Sequence, residues 1–512
     1  MSNQDTSQAW NYHNLTKHSY WSVRRNAHYL DWANMPNPFK IYPDIEPVRL
    51  PQELPQTGLP TLEALASVEV ERPDGATPTL EQLASILFYS AGVTKKKVHP
   101  GGTIYFRAAA CAGALYPIET YVVCGDLQGL AAGVYHFNPG DFSLRRLREG
   151  DQRGALVHAS AGNGHVAAAP VTLVSSAISW RSAWKYQNRA YRYHFWDNGT
   201  ILANALALAT AHRLPASIVM GFVDAEINRL IGIDGEQELA LSLLALGHEV
   251  ESVKAASVAD LPELNLQTIP LSAAQVDYPL IHQMHHASEL ANQEEARAWR
   301  GVSMEKETPA ETGEVIPLAI AERLPGNSLE EVIQRRASTR RFARKPLPFA
   351  DLSSMLDRAT RGIPADFLHP AGAQWNDIYL IVNRVEGLEP GAYFYRRQDR
   401  ALERLKSGDF SQKATYLALE QELAGDASAT LFFMADLEDM LKRFGNRGYR
   451  AAQMEAGIIG GKVYLATYAL SRGATGLTFY DDDVTEFFSP HAAGKSCIFV
   501  TSVGIPGKRP IY

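Results

Sequence analysis

The chain has only three cysteines in 512 residues, Cys111, Cys124 and Cys497, with no CxxC pair among them. That scarcity excludes a disulfide framework and a zinc ribbon, and it fits a reducing compartment. Long apolar runs are missing too. The longest, Thr200 to Thr210, is well short of the ~20 residues that a bilayer-spanning helix needs. The polar start Met1-Ser-Asn-Gln-Asp-Thr lacks the apolar core of a secretory signal. Positive charge is in deficit: net charge is −7 and no Lys/Arg block stands out, which argues against nucleic acid as a partner. No GxGxxG follows a strand pattern, so a parallel dinucleotide fold is not expected; Gly457-Ile-Ile-Gly-Gly lies inside a helix pattern and is a weak signal. The remaining composition, 46% apolar and 21% charged, predicts a soluble globular protein with no membrane partner, placed in the cytoplasm.

Against these absences stands one positive feature, an internal repeat. Asn188-Arg189-Ala190-Tyr191-Arg192 recurs as Asn446-Arg447-Gly448-Tyr449-Arg450, an offset of 258 positions (446 − 188). The same offset carries Gly133-Val134-Tyr135, Leu144, Leu147 and Gly150-Asp151 onto Gly391-Ala392-Tyr393, Leu402, Leu405 and Gly408-Asp409. Distant segments sharing one offset indicate a tandem duplication, and the length suits two domains of roughly 200 to 250 residues. Such a chain is a covalent pseudo-dimer, free to build one site from two unequal halves.

The predicted organisation is an aromatic- and proline-rich irregular arm over residues 1–55, a first domain over 56–251, a linker segment over 252–325 and a second domain over 326–512. Copy one should hold a helix starting at Leu80 after Pro78-Thr79, strands at Tyr121–Cys124 and Val134–Phe137, and a long helix Tyr191–Ala211. Strand Ser217–Phe222, helix Ala225–Leu230 and strand Leu239–Leu246 complete it. Copy two repeats the order with helix Phe349–Ala359, strands Tyr379–Val382 and Ala392–Tyr395, long helix Tyr449–Leu470 and a final strand Cys497–Val503. Helices alternating with partly antiparallel strands place the fold in the α+β class.

The copies differ where chemistry would sit. Copy two opens with Arg335-Arg336-Ala337-Ser338-Thr339-Arg340-Arg341-Phe342, guanidinium forks and a hydroxyl suited to phosphate and to a carbonyl-rich ring. A solvated basic patch would read the same way. Copy one has Glu69 and Glu71 there, which would repel a dianion. Copy one in turn carries Arg107-Ala-Ala-Ala-Cys111-Ala-Gly113-Ala-Leu115-Tyr116-Pro117, small residues that let backbone approach a flat ligand, or simply a tight turn into a strand. Its counterpart, around Gly372, Gln374 and Trp375, is similar only in outline. Lys185-Tyr186, able to move a proton, is replaced by Arg443-Phe444, which is not. Taken alone, a Lys-Tyr pair is more often surface decoration.

At these residues the chain resembles the nitroreductase superfamily of FMN enzymes, and within it the SagB-type dehydrogenases related to azoline oxidases. Arg336-x-Ser338-x-Arg340-x-Phe342 matches the superfamily's opening FMN motif, and residues 107–119 are similar to the SagB-type loop that usually reads PSAGALYP. Ala110-Cys111 departs from the usual Pro-Ser. The resemblance implies two tandem nitroreductase-like domains and FMN held between them. Arg336, Ser338, Arg340, Gly476, Leu477 and Lys508 or Arg509 would come from copy two; Cys111, Gly113 and Leu115 from copy one. It further implies Lys185 as the catalytic base with Tyr186 beside it, and a mirror-image site without cofactor. The expected reaction is formation of a C=C or C=N bond, as in azoline-to-azole oxidation, on a small-molecule, peptide or carrier-bound biosynthetic intermediate. Dioxygen would serve as acceptor, and a further homodimer stays open. Alternatives are an NAD(P)H-dependent nitro or quinone reductase, and a flavin-binding scaffold without turnover.

Smaller signals read more simply. His282, His285, His286 and Glu289 have helical spacing that could gather a metal, but a solvated helix face is expected and no metal site is assigned. Asp481-Asp482-Asp483 could bind a cation, but Asp224-Ala225-Glu226 stands at the corresponding place in copy one, before a helix, so charge at a helix N-terminus is the simpler reading.

Overall fold

The computed structural model describes residues 3–25, 28–67, 75–99, 102–259, 261–302, 309–321, 323–370 and 372–508. Strands in chain order are β1 Pro47–Arg49, β2 Val93–His99, β3 Gly102–Arg107, β4 Ile118–Cys124, β5 Gly133–Asn138, β6 Ser143–Glu149, β7 Val171–Ile178, β8 Ala216–Val219 and β9 Glu238–Leu246, then β10 Glu314–Pro317, β11 Asn376–Val382, β12 Gly391–Arg396, β13 Ala401–Ser407, β14 Ala429–Ala435, β15 Gly473–Leu477 and β16 Ser496–Gly504. They form two seven-stranded sheets of one topology, β1-β6-β5-β4-β7-β9-β8 and β10-β13-β12-β11-β14-β16-β15, with β2-β3 as a separate hairpin. The chain is therefore α+β with two tandem domains of one fold, as its pattern predicts. Every ladder described in the two large sheets is antiparallel, more uniformly than the sequence suggests.

The predicted helices form where their signals lie. Thr79 caps Leu80–Ala91 through a capping box with Gln82, and Ser328 with Glu331 does the same for Leu329–Arg335. The long helices Ala190–Ala211 and Asn446–Ala469 are buried nearly all round, so they lack an amphipathic stripe and lie at the centre of the molecule. They cross at Gly199 and Gly457, one repeat offset apart. A Cβ on Gly199 would meet the Gly457 carbonyl carbon at 2.6 Å, and one on Gly457 would meet Trp196 Cα at 2.7 Å. The glycines let the two backbones touch, and this explains the glycine run inside the helix pattern.

The repeated Asn-Arg-x-Tyr-Arg frame turns out to be the clamp between the copies. Arg189 and Arg192 of copy one hold Asp481 of copy two at 3.0 and 2.7 Å; Arg447 and Arg450 of copy two hold Asp224 of copy one at 2.6 and 2.7 Å. All six side chains are buried. Burial alone would raise Asp481, but Arg189 and Arg192 outweigh it and hold the carboxyl at about 2. Helix-terminal charge is thus an incomplete description of these aspartates: each neutralises two arginines of the opposite copy.

The segments read as an irregular arm and a linker carry regular elements of their own. Helix Ser7–Leu15 sets Tyr12 edge-on to both Tyr191 and Tyr449, at 5.5 and 5.8 Å, while β1 forms the edge of the first sheet. Helix Pro279–Ala287 and β10 play matching parts for copy two. The match reaches side chains: His13 Nδ1 lies 3.2 Å from the Tyr449 hydroxyl, and His285 Nδ1 lies 3.2 Å from that of Tyr191. His285 is fully buried, so its helix is not a wholly solvated face. These segments were obscure in sequence because their pairing partners lie far along the chain.

Candidate functional site

The small-residue loop runs from the end of β3 to the start of β4. It is closed on itself: the Arg107 N–H donates to the Tyr116 hydroxyl at 3.0 Å, and the Tyr116 N–H to Cys111 Sγ at 3.1 Å. Gly113, Ala114 and Tyr116 all have positive φ, 63°, 55° and 51°. For the two non-glycine residues this stores about 1 kcal/mol or more of strain each. A buried carboxylate about two turns into the long helix tethers the loop. Asp197 accepts the Ala112 N–H at 2.8 Å and the Cys111 thiol at 3.1 Å, and burial raises it to about 7. Burial and the Asp197 charge push the Cys111 thiol well up, so it is a poor thiolate and a packing residue. Below the loop, burial would raise Glu119 too, yet Arg181 and His136 hold it at about 2 and anchor the start of β4.

Copy two meets this loop directly. Arg336 follows helix Leu329–Arg335, and its guanidinium donates to the Ala108 carbonyl at 2.9 Å and to that of Arg107 at 3.2 Å. The strap it begins is tied to β15 by the Thr339 N–H, which donates to the Ala474 carbonyl at 2.8 Å. Ser338 Oγ lies 3.5 Å from the hydroxyl of Tyr464, and that hydroxyl accepts the Gly476 N–H at 2.5 Å. Leu477 follows on β15, largely buried. Arg340 is exposed, and its charge acts across the domain boundary on Tyr186. Gly507 is bonded to the Arg341 carbonyl, which sets the exposed Lys508 at the end of the same strap; Arg509 lies outside the described residues.

Tyr186 ends helix Ser179–Tyr186 and stacks on Tyr193, with ring centres 4.2 Å apart. Its hydroxyl stands at the loop: a Cβ on Gly113 would lie 2.8 Å from it. Burial, with Tyr193, Asp197 and Cys111, pushes the Tyr186 phenol up against the opposing pull of Arg340. Lys185 behaves differently. It is exposed, with Nζ 5.4 Å from the Tyr186 ring centre. Leu115 packs beside Trp180 and Trp184 under the same helix. The structure thus gathers Arg336, Ser338, Gly476 and Leu477 on one side and Cys111, Gly113, Leu115 and Tyr186 on the other, with Lys185 at the rim.

The donor set fits an anionic flavin: guanidinium and hydroxyl groups on the strap, and a loop whose glycine leaves room at the Tyr186 hydroxyl. At the mirror-image place the described residues bond and pack among themselves. There the Ile218 N–H donates to the Pro364 carbonyl, and the Met220 and Gly221 N–H groups bind Asp366 at 2.9 Å each. Trp375 packs edge-on to Phe444 at 5.1 Å, and Trp299 covers Phe444 at 5.4 Å. Gln374 donates to the Thr360 carbonyl and Arg443 pairs with Asp439. Glu69 and Glu71 lie outside the described residues.

Sequence reasoning missed Asp197 and Tyr464. Asp197 had a signal, since the offset of 258 places Glu455 opposite it, and Glu455 accepts the Trp375 and Asn376 N–H groups at 3.0 and 2.9 Å. Tyr464 had none. Among the described residues no cluster of His, Cys, Asp and Glu could hold a metal, and no helix is long and apolar enough to cross a membrane.

The family model "Nitroreductase family" matches residues 74–248 and 333–493, one match per copy, and the chain belongs to that family. Its members are generally flavin oxidoreductases. The solved structure of a candidate nitroreductase from Anabaena variabilis aligns over 98% of this chain and 99% of its own, with a TM-score of 0.76 and 26% identity. Nitroreductase candidate MJ1384 of Methanocaldococcus jannaschii is 31% identical over 166 residues, 32% of this chain and 79% of that protein. The trifolitoxin-processing protein TfxB of Rhizobium leguminosarum bv. trifolii is 29% identical over 163 residues, 31% of this chain but only 44% of its own length.

Proposed function

We propose that the protein is a SagB-type FMN dehydrogenase or oxidase that forms a C=C or C=N bond, of the azoline-to-azole kind, on a peptide or carrier-bound intermediate. The observation that carries this function is the bonding of Arg336, from the flavin-type strap of copy two, to the Arg107 and Ala108 carbonyls of the copy-one loop beside the Tyr186 hydroxyl. A relative named for processing trifolitoxin supports a substrate of the peptide natural-product kind. Arg336, Ser338, Arg340, Gly476, Leu477, Lys508 and Arg509 would hold the cofactor from copy two, and Cys111, Gly113 and Leu115 would shape its other face. FMN, when bound, supplies the hydride acceptor.

The chain's own work is to orient the substrate and take its proton. Lys185 Nζ, at the open rim, would remove the proton adjacent to the hydride-losing carbon once a docked substrate strips its water. The raised phenol of Tyr186 keeps its proton at neutral pH and so serves as a hydrogen-bond donor at the loop. Tyr193 fixes the ring by stacking, which sets the hydroxyl's direction.

The test is cofactor content followed by turnover. Purified protein should carry one FMN per chain; two would overturn the single-site arrangement. On the natural substrate, Lys185→Ala should lower kcat by about 100-fold or more and Tyr186→Phe by less, with FMN retained. Full activity in both variants would refute the assignment. The exposure of Lys185 gives a second function its support, a flavin-holding scaffold without turnover, and that outcome is what such indifference would indicate.

A further inference from the structure

Between the site and solvent stands a feature the flavin chemistry does not use. The β2-β3 hairpin leaves the body of copy one and ends at Arg107, the residue whose carbonyl receives Arg336. Its register pairs Lys95 with Phe106 and Lys97 with Ile104, so two ammonium groups and two apolar side chains share one face. That face is open: Phe106 is 36% and Ile104 43% exposed, and both lysines are exposed. On the opposite face Tyr105 packs on Phe39 at 4.9 Å, while Val98 is 80% exposed. Among the described residues neither outer edge of the hairpin has a strand partner. Lys95-Lys96-Lys97 concentrates positive charge in a chain whose net charge is −7.

The arm connects this hairpin to the catalytic rim. Residues 28–39 touch helix Ser179–Tyr186 at one end, where the His28 ring bonds the Trp184 carbonyl at 2.8 Å and Trp32 packs edge-on to Trp184 at 5.3 Å. At the other end Phe39 supports Tyr105. Tyr29 and Trp32, exposed at 88% and 68%, stand along this path.

We propose that the hairpin is a docking arm for an extended acidic peptide, which adds as a third strand beside β2 and is thereby led toward Lys185. Backbone pairing at the free edge supplies sequence-tolerant affinity; carboxylates beside Lys95 and Lys97 on one face, with apolar residues beside the exposed Val98 on the other, select the partner. The occupant's being the substrate rests on the proposed function; the docking itself does not.

The experiment uses the full-length protein with its cofactor and two fluorescein-labelled peptides, one alternating Glu with Val and one alternating Lys with Val. Anisotropy should show the Glu/Val peptide binding at least about tenfold more tightly, with the preference fading as salt rises. The double variant Lys95→Glu/Lys97→Glu should reverse that preference, and Val98→Ser should weaken both peptides, while the flavin spectrum stays unchanged. Equal binding of the two peptides, or an unaltered preference in the double variant, overturns the proposal. So does loss of flavin together with peptide, which would make the hairpin a structural prop. Binding of phosphatidylserine vesicles that depends on Lys95 and Lys97 and excludes the peptide would assign the face to a membrane surface and overturn it as well. Hairpin-dependent peptide binding by protein without flavin would uphold the docking arm and refute the flavoenzyme instead.

Discussion

Replacing Asp481 by Asn removes one charge without changing shape, and leaves Arg189 and Arg192 of copy one without the counter-charge that copy two supplies across the domain boundary. Both guanidiniums are almost fully buried, so water cannot take over the role of the carboxylate. Breaking a buried ion pair from one side costs about 3–5 kcal/mol. With an unfolding entropy of ~2.1 cal/mol/K per residue, a chain of 512 residues loses ~1.1 kcal/mol of stability per degree near its midpoint. Asp481→Asn should therefore lower Tm by about 3–5 °C if both copies melt together. It should lower Tm by roughly twice that if copy two melts alone. Calorimetry distinguishes these cases by the number of transitions. Asp482→Asn is the control: its partner is Lys17, it is mostly exposed, and it should shift Tm by less than about 1 °C. The pH dependence supplies a second check. Because the Asp481 carboxyl sits at about 2 in the fold against 3.8 ordinarily, its contribution is complete above pH 3.8 and is lost as pH falls toward 2. Wild type and variant should converge in that window. An Asp481→Asn protein that melts with wild type, or no lower than Asp482→Asn, would refute the clamp.

Further outcomes follow from other parts of the structure. Gly113→Ala places a Cβ 2.8 Å from the Tyr186 hydroxyl at a φ of 63°, so the ring must move; stability should fall by about 1 kcal/mol or more and turnover more than tenfold, and crystals showing Tyr186 unmoved would contradict this. Phe444→Ala should cost about 3–5 kcal/mol in denaturant melts because Trp299 and Trp375 both pack on that ring, yet FMN content should stay at one per chain because copy one has Glu69 and Glu71 where copy two has its arginine strap; a second flavin would show that the Phe444 ring, not the lost strap, is what blocks the mirror place. His194 is fully buried against Ser182, and burial holds it at about 3 against 6.5. It is neutral in the fold, so its share of stability is present above pH 6.5 and declines as pH falls toward 3, by about 2 kcal/mol at pH 5. His194→Gln should lose that part of the acid sensitivity in urea melts, and identical pH slopes would exclude it.

Much of this was legible in the residues. The duplication, the α+β class, the helices around Leu80 and Phe349, and the two long helices follow from local pattern, because capping residues and periodic apolar positions act within a few turns. The unequal distribution of Arg336, Ser338 and Arg340 against Lys185 and Tyr186 was likewise visible, since an offset comparison needs no structure. Less visible was the role of the arm and of residues 279–317, whose strands and helices are defined by partners from about 90 to more than 400 positions away.

The sequence by itself determined that two copies exist and that they are chemically unequal, because substitutions at one offset are a one-dimensional fact. Only the tertiary structure decided what the shared Asn-Arg-x-Tyr-Arg frame is for. Arg189 and Arg192 find Asp481, and Arg447 and Arg450 find Asp224, across the boundary between the copies. Buried guanidinium needs a counter-charge wherever folding brings one, and the crossing of two helices at Gly199 and Gly457 is what brings it. The same crossing sets Arg336 against the copy-one loop and leaves Lys185 in water, a distinction of burial that no spacing of residues along the chain can express.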